Sequence, residues 1–246
     1  MIETSGGALS GLPADLPTGP DKTASVRAMF DTIAVRYDLV NRIITLGLDR
    51  SWRRRTVAAL GLPAGSVVLD LACGTGDLAV FARHRALRSV GVDLSSGMLA
   101  ARHPGIPAAE ADALALPLRD GALDGVVSGF ALRNFTDLGG SLAEAARVLR
   151  PGGRLALLEV ATPERGLLRR GFEVWFGRCV PAIGGLISDR DAYRYLPRST
   201  AYLPPPDELR TLLRRAGFAT VGRQLLHGGL SQLLTATRAG MPEGAL

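Results

Sequence analysis

A turn of small residues between two acids is the first place in the chain where chemistry is expected. It runs from Asp70 to Asp77 after a short β-branched stretch, and Gly74 and Gly76 carry no Cβ that would keep a ligand from the backbone. Dinucleotide enzymes use a similar loop, but it presents a helix N-terminus to an anionic pyrophosphate and carries a third glycine, which is missing here. The flanking carboxylates favour a ligand with an amino group and a sulfonium. We therefore predict S-adenosylmethionine, held by Asp70, Gly74, Thr75 and Gly76.

Three further strand ends supply side chains for the same ligand. Asp93 ends the second predicted strand, where a carboxylate can accept hydrogen bonds from both ribose hydroxyls. Asp112 and Ala113 follow the third strand and are placed to meet an adenine edge, and Ser128 on the fourth would border the methionine part. Simpler roles remain open: Asp70 and Asp93 could cap the segments that follow them, and Ser128 could be a packing residue.

Apolar runs that alternate with helical patterns position these residues. Strands are predicted at 66–71, 89–93, 108–111, 123–128 and 154–160, with helices between them. This alternation predicts an α/β fold with a doubly wound, mostly parallel sheet. Helices are expected within 23–61, and a final antiparallel strand pair at 218–226 and 230–237. Residues 1–22 are predicted to be a flexible arm, and 23–246 a single domain with its cofactor-binding core at 66–160.

Composition restricts the class of protein. The net charge is +6, and nearly all of the positively charged residues are arginines, which codon usage explains as simply as an anionic partner does. The aromatic content of 5% argues against a stacking platform for single-stranded nucleic acid. Two cysteines make no disulfide framework, and we find neither a secretory signal nor an apolar run of about 18 residues. His84, His103 and His227 have no partner at metal-ligand spacing. We expect a cytoplasmic protein that binds neither metal nor nucleic acid.

Three stretches resemble the menaquinone/ubiquinone biosynthesis C-methyltransferases, a class I S-adenosylmethionine-dependent family, over residues 28–238. The stretches are Tyr37–Asn41 with the segment up to Trp52, then Phe130–Asn134, then the Pro-Gly-Gly segment Arg147–Glu159. The first two are the more specific. Four positions differ from the usual family pattern, which has Ser at Thr45, His at Asp49, Phe at Val160 and Ser at Ala161. A mechanism that uses a histidine at position 49 cannot operate here.

The resemblance implies transfer of a methyl group to a ring carbon of a reduced, prenylated quinone, with demethylmenaquinol preferred. It implies Arg133 and Asn134 as catalytic residues, because a fixed cation with planar donors can stabilise the phenolate that activates the ring carbon. Tyr37 and Asp38 would close the site from the N-terminal helices. An ordinary helix entry at Arg133–Asn134 and a core position for Tyr37 are the plainer interpretations.

The prenyl tail needs an apolar path. The segment 167–187, within a predicted lid at 163–200, could receive the tail and rest on the inner face of the membrane, or it could be an ordinary core helix.

A homodimer is a further candidate assembly. Alternative functions are a C- or O-methyltransferase for another phenolic or natural-product ring, a nucleic-acid-binding protein drawn by the positive charge, and a cofactor-binding protein without catalysis.

Overall fold

A seven-stranded sheet forms the centre of the computed structural model, which describes residues 16–164 and 166–240. The strands are β1 (Val67–Leu71), β2 (Arg88–Asp93), β3 (Ala108–Glu110), β4 (Leu123–Gly129), β5 (Leu149–Val160), β6 (Phe218–Leu226) and β7 (Ser231–Arg238). Their order is β3-β2-β1-β4-β5-β7-β6, with β1 to β5 parallel and β7 antiparallel to both neighbours. The predicted doubly wound sheet with a terminal antiparallel pair is confirmed.

Helices cover both faces of the sheet and one of its ends. They are α1 (Gly19–Ile33), α2 (Tyr37–Ile44), α3 (Leu48–Ala59), α4 (Asp77–His84), α5 (Ser96–Ala100), α6 (Leu138–Val148), α7 (Gly166–Val174), α8 (Val180–Ile187), α9 (Arg190–Ser199) and α10 (Pro206–Arg215). A π-helical turn, Trp175–Cys179, joins α7 to α8. No helix in the described ranges is long and apolar enough to cross a membrane.

Alternation along the strands explains the two layers, because neighbouring side chains of a strand point to opposite faces of the sheet. Val68 belongs to a buried apolar cluster with Val57 of α3 and Ala82 of α4. Leu69, the next residue, belongs to a second cluster that includes Leu142 of α6 and members of α10. Both faces of the parallel strands are therefore buried, which is why these strands are short continuous apolar runs in the sequence.

The first helix begins earlier than the sequence predicts. The expected boundary between a flexible arm and the domain lies after residue 22, but α1 already starts at Gly19 and carries proline and Asp21 in its first turn, both favourable there. Lys22 is buried: its Nζ donates to the Phe135 carbonyl at 2.8 Å and lies 3.7 Å from the centre of the Tyr202 ring. The end of the predicted arm is thus packed, and residues 1–15 lie outside the described part.

The predicted lid, 163–200, corresponds to α7, the π-helical turn, α8 and α9. Val180 of α8 and Tyr193 of α9 share a buried cluster with Ile33 and Val40 from the N-terminal helices. This arrangement places the segment against α1 and α2, over the carboxyl end of the sheet, instead of in a layer on the sheet itself.

We expect Gly184→Ala to lower the Tm by roughly 5 °C or more, since overpacking costs about 1–3 kcal/mol or more. A Cβ at this position would lie 2.1 Å from Cγ of the Tyr193 ring, so α8 and α9 would have to separate. Gly171→Ala in α7 is the matched control, because a Cβ there meets nothing within 4 Å. It should raise the Tm slightly through helix propensity. Thermal unfolding followed by circular dichroism measures both, and equal shifts would contradict the predicted contact.

Candidate active site

A first cavity opens at the carboxyl ends of β1, β2 and β4 and has a volume of about 120 Å³. Helix α1 bounds it on the far side with Val26 and Phe30. Six residues that the sequence singled out line this cavity: Tyr37, Gly74, Asp93, Asp112, Ala113 and Asn134. The topology thus brings together the ends of strands that are distant in the sequence, as expected for a ligand site of a doubly wound sheet.

Asp93 has the most constrained geometry in the first cavity. Its Oδ2 accepts a hydrogen bond from the Gly74 amide at 2.7 Å, and its Oδ1 accepts one from the Ser95 amide at 2.8 Å. Desolvation raises the pKa of Asp93, and these amide donors lower it. Because a carboxylate has about four acceptor positions, two of them remain for donors of a ligand. The two roles predicted for Asp93, capping of the segment that follows it and ligand contact, are geometrically compatible, because the bond to Ser95 leaves acceptor positions free.

Three other predicted cofactor residues lie behind the cavity wall. Thr75 is buried and donates through Oγ1 to Oδ1 of Asp38 at 2.7 Å, so this pair joins α2 to the glycine turn. Gly76 has a φ of 87° and stands at the N-cap of α4, and a Cβ there would lie 3.3 Å from Ile106. Ser128 is buried within β4, and its Oγ has no hydrogen-bond partner in the described structure.

Asp70 lies beneath the turn. It is 1% exposed, and its Oδ2 accepts a hydrogen bond from the Ala79 amide at 2.9 Å in the first turn of α4. Burial raises the pKa of this carboxyl to about 8, against the lowering effects of the Ala79 amide and of the Arg53 charge. The residue therefore fixes the turn to the helix that follows it.

The raised pKa of Asp70 predicts a pH-dependent stability. In the unfolded chain the carboxyl loses its proton near pH 4, but in the folded chain only near pH 8. The contribution of the protonated Asp70 carboxyl to the free energy of unfolding is complete below about pH 4 and is lost as the pH rises toward 8. Asp70→Asn has no such proton to lose, so its Tm should exceed that of the unchanged protein by several degrees at pH 8 and by less at pH 5.

Thermal melts of the ligand-free proteins between pH 5 and 8 measure this difference. Asp191→Asn is the matched control, since the Asp191 side chain is 90% exposed. This substitution should leave the pH dependence of the Tm unchanged. A Tm difference between Asp70→Asn and the unchanged protein that stays constant with pH would contradict the prediction.

The second cavity is larger, about 350 Å³, and mostly apolar. Its apolar wall includes Trp52 of α3, Leu168 and Phe172 of α7, and Trp175 and Phe176 of the π-helical turn. A few polar side chains also line it: Tyr37, Asn41, Thr45, Asp49, Arg53 and Arg133. A cavity with apolar walls and a few polar groups suits an apolar ring compound that carries hydrogen-bonding substituents.

Tyr37 and Phe130 line both cavities and form the wall between them. Phe130 has a φ of 61°, in the left-handed region that is unusual for an aromatic residue. Its amide donates to the Leu158 carbonyl at 2.7 Å, which anchors this backbone to β5. The shared wall brings a ligand of one cavity next to a ligand of the other.

Arg133 and Asn134, the two predicted catalytic residues, face different cavities. Arg133 lines the apolar cavity, where its Nη1 forms a buried ion pair with Glu159 and its Nε donates to Ser199 Oγ at 3.1 Å. Asn134 lines the first cavity, and its Oδ1 accepts from the Tyr195 hydroxyl at 3.4 Å. The 3₁₀ turn Leu132–Asn134 therefore contributes to both.

His103 has partners that sequence spacing does not reveal. Its Nε2 lies 2.9 Å from Oδ1 of Asp77 and 3.7 Å from Oδ2 of Asp38. These three side chains are close enough together to be metal ligands, contrary to the expectation of isolated histidines. Arg53 supplies a positive charge to the same group, with its Nε 3.2 Å from Oδ2 of Asp77.

Sequence reasoning missed the roles of three charged residues at the apolar cavity: Asp49 and Arg53, which line it, and Glu159, which pairs with the lining residue Arg133. Arg53 is the first of three consecutive arginines, which the codon-usage explanation of the charge would cover, but it is only 5% exposed. Its spacing of four residues from Asp49 is that of a helical ion pair, a signal that was present in the sequence. Glu159 is fully buried at the carboxyl end of β5, where it accepts from Arg133.

Comparison with solved structures identifies the fold. A structure described as an S-adenosylmethionine-dependent methyltransferase, possible histamine N-methyltransferase, from Thermotoga maritima superposes with a TM-score of 0.60. The match covers 86% of this chain and 99% of that chain at 23% sequence identity. The fold is therefore that of the class I methyltransferases, the class that the resemblance implied.

The chain belongs to the ubiE/COQ5 methyltransferase family, whose sequence profile matches residues 19–238. The demethylmenaquinone methyltransferase of Thermus thermophilus is 45% identical over 83% of this chain and 97% of the relative. That of Roseiflexus castenholzii is 42% identical over 92% of this chain and 98% of the relative. The protein is thus a methyltransferase, and the family membership expected from Tyr37–Trp52 and Phe130–Asn134 is confirmed.

Proposed function

We propose that this protein methylates a ring carbon of a prenylated naphthohydroquinone, converting demethylmenaquinol to menaquinol with S-adenosylmethionine as donor. The observation that supports this most directly is the pair of cavities separated by Tyr37 and Phe130. One has carboxylates and backbone groups suited to a nucleoside, and the other has apolar walls suited to a lipid-linked ring. The names of the relatives from Thermus and Roseiflexus support the choice of acceptor.

The residues of the first cavity fit the cofactor. Asp93 retains two acceptor positions for the ribose hydroxyls after its hydrogen bonds to Gly74 and Ser95. Asp112 and the Ala113 backbone would meet the adenine edge. Asp70, Thr75, Gly76 and Ser128 act behind the wall by fixing or packing the strand ends that carry these contacts. When bound, S-adenosylmethionine supplies a methyl group that an in-line nucleophile can take.

The apolar cavity would hold and activate the acceptor. A hydroquinone ring carbon becomes nucleophilic when the neighbouring hydroxyl loses its proton, and Arg133 can stabilise the resulting phenolate oxygen. Arg133 stays in place through Glu159 and Ser199. A carbon–carbon bond then forms as the carbon–sulfur bond breaks. Loss of the ring proton restores the aromatic ring, and the phenolate oxygen takes up a proton to give the methylated hydroquinone. Asn134 lines the first cavity, where it would orient the methyl-bearing end of the bound cofactor.

We propose that α7 and the π-helical turn form the lid over this cavity, and that the prenyl tail leaves beside it. Leu46 and Leu168 line the cavity and are 72% and 47% exposed, so they form its mouth. Leu167, beside them on α7, is 85% exposed. Such apolar side chains at the mouth of a lipid site suit contact with the inner face of the membrane.

Vesicle binding tests the membrane contact. Arg170→Glu reverses an exposed charge on α7, and Arg88→Glu reverses an exposed charge at the amino end of β2, away from the cavities. Arg170→Glu should reduce co-sedimentation with phosphatidylglycerol vesicles more than Arg88→Glu does. Equal effects of the two substitutions would contradict a contact through α7.

The proposed reaction is tested by incubating the protein with methyl-labelled S-adenosylmethionine and chemically reduced demethylmenaquinone under anaerobic conditions. We expect label in the lipid fraction, with S-adenosylhomocysteine as the second product. A panel of other reduced quinones and simple phenols in the same assay measures the acceptor preference. Transfer to a phenol with no transfer to the prenylated hydroquinone would contradict the proposal in favour of a natural-product methyltransferase.

A further inference from the structure

Asp49 is a carboxylate in the apolar cavity for which the mechanism above has no role. It is 4% exposed, and it lines the cavity from the first turn of α3. Its Oδ1 accepts a hydrogen bond from Thr45 Oγ1 at 3.1 Å. No hydrogen-bond donor among the described residues reaches its Oδ2, whose nearest cation is Arg53 Nε at 3.9 Å. One acceptor oxygen is therefore left for a ligand.

The nearby cations do not need Asp49 for charge balance. Arg53 Nε lies closer to Asp77 Oδ2, at 3.2 Å, than to Asp49. Arg133 is paired with Glu159. Each of the two arginines at the cavity thus has another carboxylate, and Asp49 adds a negative charge to a wall that is otherwise mostly apolar. A buried carboxylate with an unused acceptor is costly unless a donor meets it.

The chemistry of the methyl-accepting ring indicates which group donates a hydrogen bond to Asp49. A hydroquinone carries two hydroxyls that donate hydrogen bonds, whereas the corresponding quinone carries two carbonyls that only accept. A carboxylate facing a hydroxyl gains a charge-assisted hydrogen bond, and one facing a carbonyl places two acceptors together. The two oxidation states of one ring are therefore distinguished by a single ionised side chain.

We propose that Asp49 accepts a hydrogen bond from a ring hydroxyl and makes the cavity select the reduced acceptor over the oxidised one. This inference rests on the proposed function, because it assumes that a quinol ring occupies the second cavity. Selection of the reduced form keeps the site free of quinone, whose electron-poor ring cannot take a methyl cation. Asp49 is thus assigned as a specificity-determining residue.

The binding of each redox form can be measured without turnover. Both tryptophans of the chain, Trp52 and Trp175, line the cavity, so quenching of intrinsic fluorescence reports its occupancy. The probe is demethylmenaquinone with one prenyl unit, used oxidised or chemically reduced under anaerobic conditions, with S-adenosylhomocysteine present. For the unchanged protein we expect about tenfold or tighter binding of the reduced form, the value of one charge-assisted hydrogen bond.

Substitutions separate the role of Asp49 from that of its ion pair. Asp49→Asn should bring the affinity ratio close to one, because an amide can donate to a carbonyl as well as accept from a hydroxyl. Asp49→Glu should retain a preference for the reduced form. Asp77→Asn removes the nearer partner of Arg53 without altering the cavity lining, and should keep the original ratio. If Asp49→Asn fails to fold, as judged by circular dichroism, Asp49→Ser carries the same expectation.

An unchanged ratio in Asp49→Asn would overturn the inference, and so would an equal loss of discrimination in Asp77→Asn, which would assign the effect to Arg53. The outcome for the proposed function is separate. Methyl transfer by the unchanged protein without any redox preference would overturn only the role of Asp49. If the protein showed neither methyl transfer to the prenylated hydroquinone nor binding of it, the proposed function would be overturned, and this inference with it.

Discussion

Asp93→Ala is expected to weaken the binding of S-adenosylmethionine by about two to four orders of magnitude. Two hydrogen bonds from ribose hydroxyls to a carboxylate contribute about 1.5–3 kcal/mol each, and both are lost. The substitution also removes the acceptor of the Gly74 and Ser95 amides, which hold the turn and the start of α5. Calorimetric titration with S-adenosylhomocysteine measures the loss directly.

Asp112→Ala is the matched control for this prediction. Asp112 lines the same cavity, but its Oδ1 already accepts from the Leu114 amide at 2.9 Å, and only an adenine contact is expected from it. Its effect on affinity should be about tenfold. Equal affinities of Asp93→Ala and the unchanged protein would show that the ribose lies elsewhere.

Glu159→Gln is expected to lower the free energy of unfolding by about 3–5 kcal/mol, because it leaves the buried guanidinium of Arg133 without its counter-charge. Arg133 is 5% exposed, so water cannot replace the carboxylate. The Tm should fall by about 10 °C for a domain of this size. Chemical denaturation gives the free energy, and differential scanning calorimetry gives the Tm.

A double variant separates stability from chemistry in the same pair. Arg133→Met combined with Glu159→Gln has no unpaired charge, and should recover most of the stability that Glu159→Gln loses. Methyl transfer should nevertheless stay about a hundredfold below that of the unchanged protein, since the group proposed to stabilise the phenolate is missing. Recovery of both stability and activity would remove Arg133 from the mechanism.

The sheet and the cofactor end of the site were predictable from the sequence for a physical reason. Parallel strands are buried on both faces, so they appear as short apolar runs, and the residues after such runs meet at one edge of the sheet. Asp93 and Asp112 could be placed at this edge from position alone. The choice between the two roles left open for Asp70 could not be made, because whether a strand-end carboxylate points outward or beneath the turn depends on where α4 begins.

The acceptor side of the site was not predictable in the same way. It is formed by helices and turns whose contacts cross long stretches of chain, such as the pairing of β4 with β5 that brings Arg133 next to Glu159. Asp49 and Arg53 face a cavity only because α3 packs against β5 and α7 closes over it. Local periodicity predicts a buried face for α3, but it does not say that the face borders a ligand.

The 3₁₀ turn Leu132–Asn134 has a thermodynamic consequence, because its two polar side chains belong to different cavities. A ligand that fixes Asn134 also restricts the backbone that carries Arg133. The methyl donor and the methyl acceptor would therefore share the entropic cost of ordering this backbone. Whatever factor the donor adds to the affinity for the acceptor, the acceptor must add to the affinity for the donor. We therefore expect the methyl donor and the methyl acceptor to bind cooperatively, with the coupling carried by these three consecutive residues.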